Sequence, residues 1–411
     1  MKRRCGTQGI ATGAIRFNDS ELWEPEARRD RHAFYSRVRE AGVPVPQIDP
    51  ISGDRFWILA RHADVTHGLR HPDIGHEIRR HLPEEHRNRK RPSLSEIERI
   101  GSRQLIDLDP PDHTGLRKLV NAAFTPRMVT RLEPRIIEIA DRLLTRAKQR
   151  GVIDGVTDLG EPVPVAVIAN LVGVPEKDRR QFRAWSAAIM SGSPTKRDAA
   201  TLQFAAFIDD LASQRRTHPE EDLLSELVAL ETHGEGLGRD ELVAMIQLLL
   251  IAGQETTVYL IVNGLRALLS HPDQWRKLRE EPSLAAAAVE EILRFDGPVE
   301  IVPPRFTFKE LSMAGGRIPA FERVGLSVLG ANRDPEVFSG PDVFDIHRTD
   351  VKNHIAFGHG IHFCLGAPLA RLEGRVMFQR IVEQLPNLRL AADSTDLGWI
   401  QPHSGELPLR V

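Results

Sequence analysis

Cys364 lies in Phe357-Gly358-His359-Gly360-Ile361-His362-Phe363-Cys364-Leu365-Gly366, the stretch whose residue types and spacing best suit chemistry. A lone cysteine is ordinarily a small buried side chain. Here three glycines within nine residues allow close backbone approach and positive φ. A helical pattern follows at once, and amide donors at a helix start lower a thiol pKa. The expectation is therefore an activated thiolate, serving as nucleophile or metal ligand. The spacing is not G-x-G-x-x-G, which disfavours a dinucleotide loop.

Three further groups stand out. Ala252-Gly253-Gln254-Glu255-Thr256-Thr257 interrupts the most apolar segment of the chain. A glycine in a helix interior costs about 1 kcal/mol relative to alanine, and a carboxylate and hydroxyls are expensive to bury without partners. Either Gly253 makes a packing contact with Glu255 facing solvent, or the helix opens locally and presents an acid and a hydroxyl for proton handling. Glu291 and Arg294 are three apart on one helical pattern, where an exposed pair contributes only a few tenths of a kcal/mol. His113 and Arg117 are four apart after Asp109-Pro110-Pro111-Asp112 and share a face; together they suit an anion clamp, although a surface pair is the ordinary reading. His76-Glu77-x-x-x-His81 resembles a zinc-hydrolase motif, but a spacing of five turns the imidazoles about 140° apart on a helix.

These residues need elements to hold them. Apolar periodicity and punctuation predict helices over 129–149, ending at Gly151, and over the stretch leading to Gly173-Val174-Pro175. Further helices are predicted over 180–190, 199–215, 239–271, 284–295 and 367–385. The helix over 239–271 has acids at its start and Pro272 after its end; it would be roughly 50 Å long and is apolar on most faces, so it belongs at the centre. Strand signals are fewer: Arg55–Ala60, then short runs over 305–328, followed by an irregular Pro/Asp/Gly-rich stretch over 331–353. The basic run His76–Arg91 reads as a solvated loop or irregular helix. The fold class is mainly α with a minor β region.

Composition narrows the function. The chain has 411 residues, 41% hydrophobic and 27% charged, with 55 Lys plus Arg against 57 Asp plus Glu. The near balance argues against a nucleic-acid binder, and two cysteines are too few for a disulfide scaffold or thiolate zinc cage. Met1–Gly13 has no apolar core after its basic residues, and Met245–Gly253 is too short to span a bilayer. A cytoplasmic protein without membrane attachment is expected. No internal repeat or Gly/Ser linker divides it.

Together, Phe357-Gly358-x-Gly360-x-His362-x-Cys364-x-Gly366, Glu291-x-x-Arg294 and Ala252-Gly253-x-Glu255-Thr256 resemble the cytochrome P-450 haem-thiolate monooxygenases in order and separation. The resemblance covers about residues 17–411. It implies one catalytic domain over 17–411 after a flexible tail, 1–16, and the cytochrome P-450 fold, with haem b (iron protoporphyrin IX) between the central helix and the cysteine-loop helix. It implies Cys364 as axial iron ligand, since a thiolate favours O–O cleavage. Phe357 and the loop glycines, including Gly366, would shield the sulfur. Glu255 and Thr256 would deliver protons, with Ala252 against the haem. His113, Arg117, Arg305 and His362 would bind the propionates. Glu291, Arg294 and Arg348 would form a structural charge triad. Gly115 departs from the bulky basic residue frequent in bacterial members, which predicts local loosening of its helix.

The activity implied is insertion of one oxygen atom from O2 into a hydrophobic small molecule, by hydroxylation or epoxidation, in natural-product tailoring of a polyketide, macrolide or terpene. Fatty-acid or steroid hydroxylation, and a non-oxygenating haem-thiolate activity, are the alternatives; a scaffold would not need the polar break in its central helix. The chain shows no flavin domain, iron–sulfur cysteine cluster or Rossmann fingerprint, so electrons would come from a bacterial ferredoxin and ferredoxin reductase. Arg371 and Arg375 on the helix after Cys364 are either a face that meets an acidic partner or a solvated helix face. By the same resemblance the substrate pocket would draw on 76–99, 183–193, 248–256, 298–302 and the turn near His403, with Ala252, Val299 and Ile301 beside the haem and Glu300 nearby as an exposed acid or an amine contact.

Overall fold

The computed structural model describes residues 15–84, 94–230, 236–391 and 406–411. Residues 1–14 of the expected tail, 85–91 of the basic run and His403 lie outside them. Among the described residues, short strands alternate with longer helices: β1 Val45–Ile48, β2 Arg55–Leu59, β3 Ile74–Gly75, β4 Val152–Asp154, β5 Arg305–Thr307, β6 Leu311–Met313, β7 Gly316–Ile318, β8 Arg323–Leu326, β9 Arg389–Leu390 and β10 Pro408–Arg410. Helix dominates, as the periodicity requires. The described residues form two compact units, one drawn from 15–84, Leu293–Val343 and Arg348–Phe363, the other from 94–230, 236–292, Phe344–His347, 364–391 and 406–411.

The first unit is built on a five-stranded sheet, ordered β1-β2-β8-β5-β3. β2 pairs antiparallel with β1 and parallel with β8, Phe56 opposite Arg323 and Leu59 opposite Leu326. The Phe56 ring covers Gly325, where a Cβ would fall 2.1 Å from Phe56 Cζ; no larger residue fits there without displacing the ring. Helix Arg31–Ala41 is capped by the Asp30 side chain, which accepts from Ala33 N, and ends at Gly42 in the left-handed region, φ 66°. It buries Phe34, Tyr35 and Val38 in a cluster with Ile58 and Leu329. β6 and β7 form a separate hairpin.

The second unit is helical apart from the small sheet β4-β10-β9. Its longest element is helix Arg239–Ser270, 32 residues, or about 48 Å. The Glu241 carboxylate accepts from Gly238 N at its start. By length and composition alone this helix could cross a bilayer, but more than half of its most apolar window is buried in protein. It packs against the helix that follows the cysteine, Ala367–Gln384. Backbone closeness is set by Gly264, whose Cβ would fall 2.3 Å from Phe378 Cζ, and Gly374, whose Cβ would lie 3.1 Å from Leu260 Cδ2.

One expected helix is divided. In place of a continuous helix over 129–149 there are Pro126–Arg131 and Glu133–Arg150. Pro134 supplies the reason: it has no N–H to donate, and its ring would meet the carbonyl of Thr130. Thr125 caps the first segment, accepting from Met128 N, and Gly151, φ 71°, ends the second. Helix Asp112–Ala123 runs unbroken through Gly115, so the expected loosening is not present.

Candidate functional site

The cysteine stands where its motif requires. Phe363 N donates to Gly360 O in a 3₁₀ turn over Gly360–His362, and the long helix begins three residues after Cys364 with Pro368 in its first turn. Pro suits that position, since its missing N–H would have had no intrahelical partner. Ala367 N donates to Cys364 O at 3.4 Å, and the Gly366 and Ala367 amides together with the charges of Arg117 and Arg371 favour the thiolate. Crowding by protein nevertheless dominates and raises the thiol above its ordinary value, although the residue keeps exposed surface. The expected net lowering is therefore corrected: desolvation of the anion outweighs the donors. A Cβ on Gly366 would lie 3.9 Å from Cys364 Sγ. A single accessible thiol, two amides that favour its thiolate and a nearby guanidinium fit a thiolate-bound, anion-bearing cofactor.

In the same unit, helix Asp112–Ala123 carries His113, buried, and Arg117, half-buried. Arg117 Nε donates to Asn121 Oδ1 at 3.1 Å. Burial lowers its guanidinium and the Cys364 anion opposes that. The two residues do share a face, but His113 is a core side chain and not half of a surface pair.

The Ala252–Thr256 stretch corrects the idea of a helix opening. The helix continues through it, and Thr256 Oγ1 donates to Ala252 O at 2.6 Å, a back-bond that satisfies the hydroxyl without breaking the ladder. Gly253 is the packing contact of the ordinary reading, since a Cβ there would fall 2.7 Å from Ile168 Cδ1. Glu255 is partly exposed and Ala252 exposed. Ser186 Oγ, on helix Arg179–Ser191, donates to Gln254 Oε1.

The first unit holds the loop side of the motif. Phe357 lies between the rings of His354 and Phe363. Gly358 and Gly360 take φ of 74° and 77°, and Gly360 also has the Leu69 carbonyl 3.0 Å from where a Cβ would be. Arg305 is buried on β5 and donates to Leu69 O at 3.1 Å. His362 meets the His76 ring edge-on, centroids 4.9 Å apart, while His81 stacks on Phe308; the two histidines of the zinc-like motif thus turn to different partners. Val299 and Ile301 are half-buried and pack on separate core clusters.

Glu291 and Arg294 are buried, at 1% and 0% exposure, which overturns the exposed-pair reading, and Arg348 is half-buried. Arg294 donates to the carbonyls of Asn332, Pro341 and Val343. Arg348 donates to those of Ser339, Gly340 and Val343. Both guanidiniums thus hold the irregular stretch that has no ladder of its own. Glu291 Oε1 accepts from Asp345 N at 3.0 Å.

Other sequence candidates are already occupied. Arg371 forms a bidentate pair with Glu290, at 2.7 and 3.0 Å, and Arg375 pairs with Glu133 at 2.7 Å, so neither offers an uncommitted charge for docking. Glu300 accepts from Tyr35 at 2.8 Å and pairs with Arg28 at 3.1 Å, an internal tie and not an exposed loop acid. The sequence placed Ser186 only within the pocket stretch 183–193; its bond to Gln254 is seen only in the fold. Sequence reasoning missed Glu373, 1% exposed, whose Oε2 has no hydrogen-bond partner among the described residues. Burial pushes this carboxyl up to about 8.

Known proteins resemble this chain over most of its length. The sequence profile of one family, described as cytochrome P-450, matches residues 195–387. Vitamin D(3) 25-hydroxylase of Pseudonocardia autotrophica is 45% identical over 368 residues, 89% of each chain. The polyketide biosynthesis cytochrome P-450 PksS of Bacillus subtilis is 37% identical over 346 residues, 84% of this chain and 85% of that one. The crystal structure of myxobacterial CYP267B1 in complex with myristic acid superposes with a TM-score of 0.84 at 40% identity, covering 95% of this chain and 98% of that one.

Proposed function

The chain belongs to the cytochrome P-450 family, and from that premise we propose that it inserts one oxygen atom of O2 into a hydrophobic small molecule, with Cys364 as the iron ligand of haem b. The observation that carries the reading is Cys364 itself, exposed at the start of helix Ala367–Gln384 with the Gly366 and Ala367 amides and Arg117 favouring its thiolate. The haem, when bound, supplies electron transfer and dioxygen activation at iron. The residues around it bind, orient and deliver protons. Amides that favour the thiolate draw charge from the sulfur and tune the iron it ligates. Phe357 and Gly366 shield that sulfur from water. Arg117, His113, Arg305 and His362 hold the propionates through charge-assisted hydrogen bonds.

Proton delivery falls to Glu255 and Thr256. The Glu255 carboxyl would take a proton from solvent, and Thr256 Oγ1, once released from its bond to Ala252 O, would hold and hand on a proton from its hydroxyl. Ala252, Val299 and Ile301 present apolar surface to the substrate. Residues 17–411 act as one catalytic domain in the cytoplasm, and electrons come from a ferredoxin and its reductase. Polyketide-like natural products are the substrate class, supported by the naming of PksS. Steroid-like or fatty-acid hydroxylation is the second reading, favoured by the vitamin D(3) hydroxylase and by the myristic acid complex.

The deciding experiment is the carbon monoxide difference spectrum of the reduced protein, recorded beside Cys364→Ala. A strongly red-shifted Soret band that disappears in the variant is expected. A band typical of imidazole ligation in both proteins would remove Cys364 from the iron.

A further inference from the structure

We propose that Ser186 is a positioning residue which, through Gln254, fixes the rotation of the central helix and so aims the Thr256 hydroxyl; the proposal rests on the proton-delivery role given to Glu255 and Thr256. Ser186 is fully buried and donates to Gln254 Oε1. Seven residues earlier on the same helix, Gln247 Nε2 donates to Thr201 Oγ1 at 3.5 Å, on helix Pro194–Thr217. A separation of seven returns to nearly the same face, so two amides two turns apart are tied to hydroxyls on two neighbouring helices. At about 100° per residue, Ala252 and Thr256 both lie about 200° from Gln254, on the opposite face. The ties therefore grip the back of the helix whose front carries the hydroxyl.

Apolar packing against neighbouring helices holds the rest of the helix, and near Gln254 these polar ties add direction. A further close approach in the segment is Gly253 against Ile168, an apolar edge without directional preference. Thr256 itself bonds only along its own helix, to Ala252 O. A hydrogen bond from a buried hydroxyl, as Ser186 makes, is directional and costly to leave unmade. A 10° rotation at a side-chain radius of about 6 Å moves a hydroxyl by roughly 1 Å, and a misplacement of that size can cost up to about a hundredfold in rate.

The test uses the haem-loaded protein with a bacterial ferredoxin and reductase. Peroxide released per NADH consumed is measured without added organic substrate for Ser186→Ala, Ser186→Thr, Gln254→Met, the Ser186→Ala/Gln254→Met double variant and Thr256→Ala. Hydrogen–deuterium exchange of peptides covering 248–258 is followed in parallel. Ser186→Ala and Gln254→Met should each raise peroxide yield at least twofold toward the Thr256→Ala value, with the double variant no worse than the worse single. Ser186→Thr should restore the parent yield, and exchange over 252–257 should quicken in both single variants. Gln254→Met approaches the same bond from its exposed end if Ser186→Ala fails to fold. Parent-like peroxide yield and exchange in a variant that keeps its red-shifted carbon monoxide band would overturn the positioning role. A parent lacking that band would instead overturn the haem-thiolate reading, and an unchanged Thr256→Ala would remove the proton relay, and the Ser186 proposal with it.

Discussion

Glu373 is a carboxyl that the protein holds protonated, and its titration makes stability depend on pH with a definite sign. Burial raises it from the ordinary 4.5 to about 8. Between those values the folded chain keeps a proton that the unfolded chain has lost, so stability is full below about 4.5 and falls as pH rises through 8. At 1.36 kcal/mol per unit the loss is on the order of a few kcal/mol. Glu373→Gln keeps the shape and removes the titration. The fall in thermal midpoint between pH 5 and 8 should then be clearly smaller in the variant; equal slopes would mean that the carboxyl titrates normally. Nothing in the sequence marked this residue, because one acid in an amphipathic helix reads as solvated until the neighbouring helices are in place. Cys364, Glu291 and Arg294 were legible from their spacing, yet the burial of the last two and the rise of the thiol pKa came from packing alone.

Elements carry the next scale, and glycine shows how context reverses one substitution. Gly264→Ala adds helix propensity worth about 1 kcal/mol. It also drives a methyl toward Phe378 Cζ and Ile292 Cδ1, at 2.3 and 2.8 Å, in a crossing with buried neighbours on both sides. Overpacking of that kind costs about 1–3 kcal/mol, so urea unfolding should show net destabilisation. Gly115→Ala, inside helix Asp112–Ala123 with nothing within 4 Å of its Cβ, should stabilise by up to about 1 kcal/mol. Opposite outcomes at the two sites would overturn the packing account. Helix ends were read well from the sequence at Gly151, Gly173 and Pro272, since each is a local stop. The break near Leu132 was overlooked because apolar periodicity continues through Pro134, whose effect is on the backbone.

For the whole molecule, the question is whether an apolar helix of 32 residues implies a membrane. Composition alone allows it, whereas the burial of most of its apolar window identifies a core helix. The expressed chain should remain in the supernatant without detergent after high-speed centrifugation; recovery only with membranes would reverse that. The sequence by itself determined the mainly helical architecture, the chain order of the acid–alcohol helix, Glu-x-x-Arg and cysteine loop, and thereby the family. It could do so because periodicity, punctuation and a motif ten residues long are local properties of a chain. Tertiary structure alone decided that Arg371, Arg375 and Glu300 are occupied by Glu290, Glu133, and Arg28 with Tyr35. It also decided that Gly253 meets Ile168 and that Ser186 meets Gln254. These partners lie from tens to hundreds of residues apart, and whether a charge is spent or a hydroxyl aimed depends on what the fold brings against it.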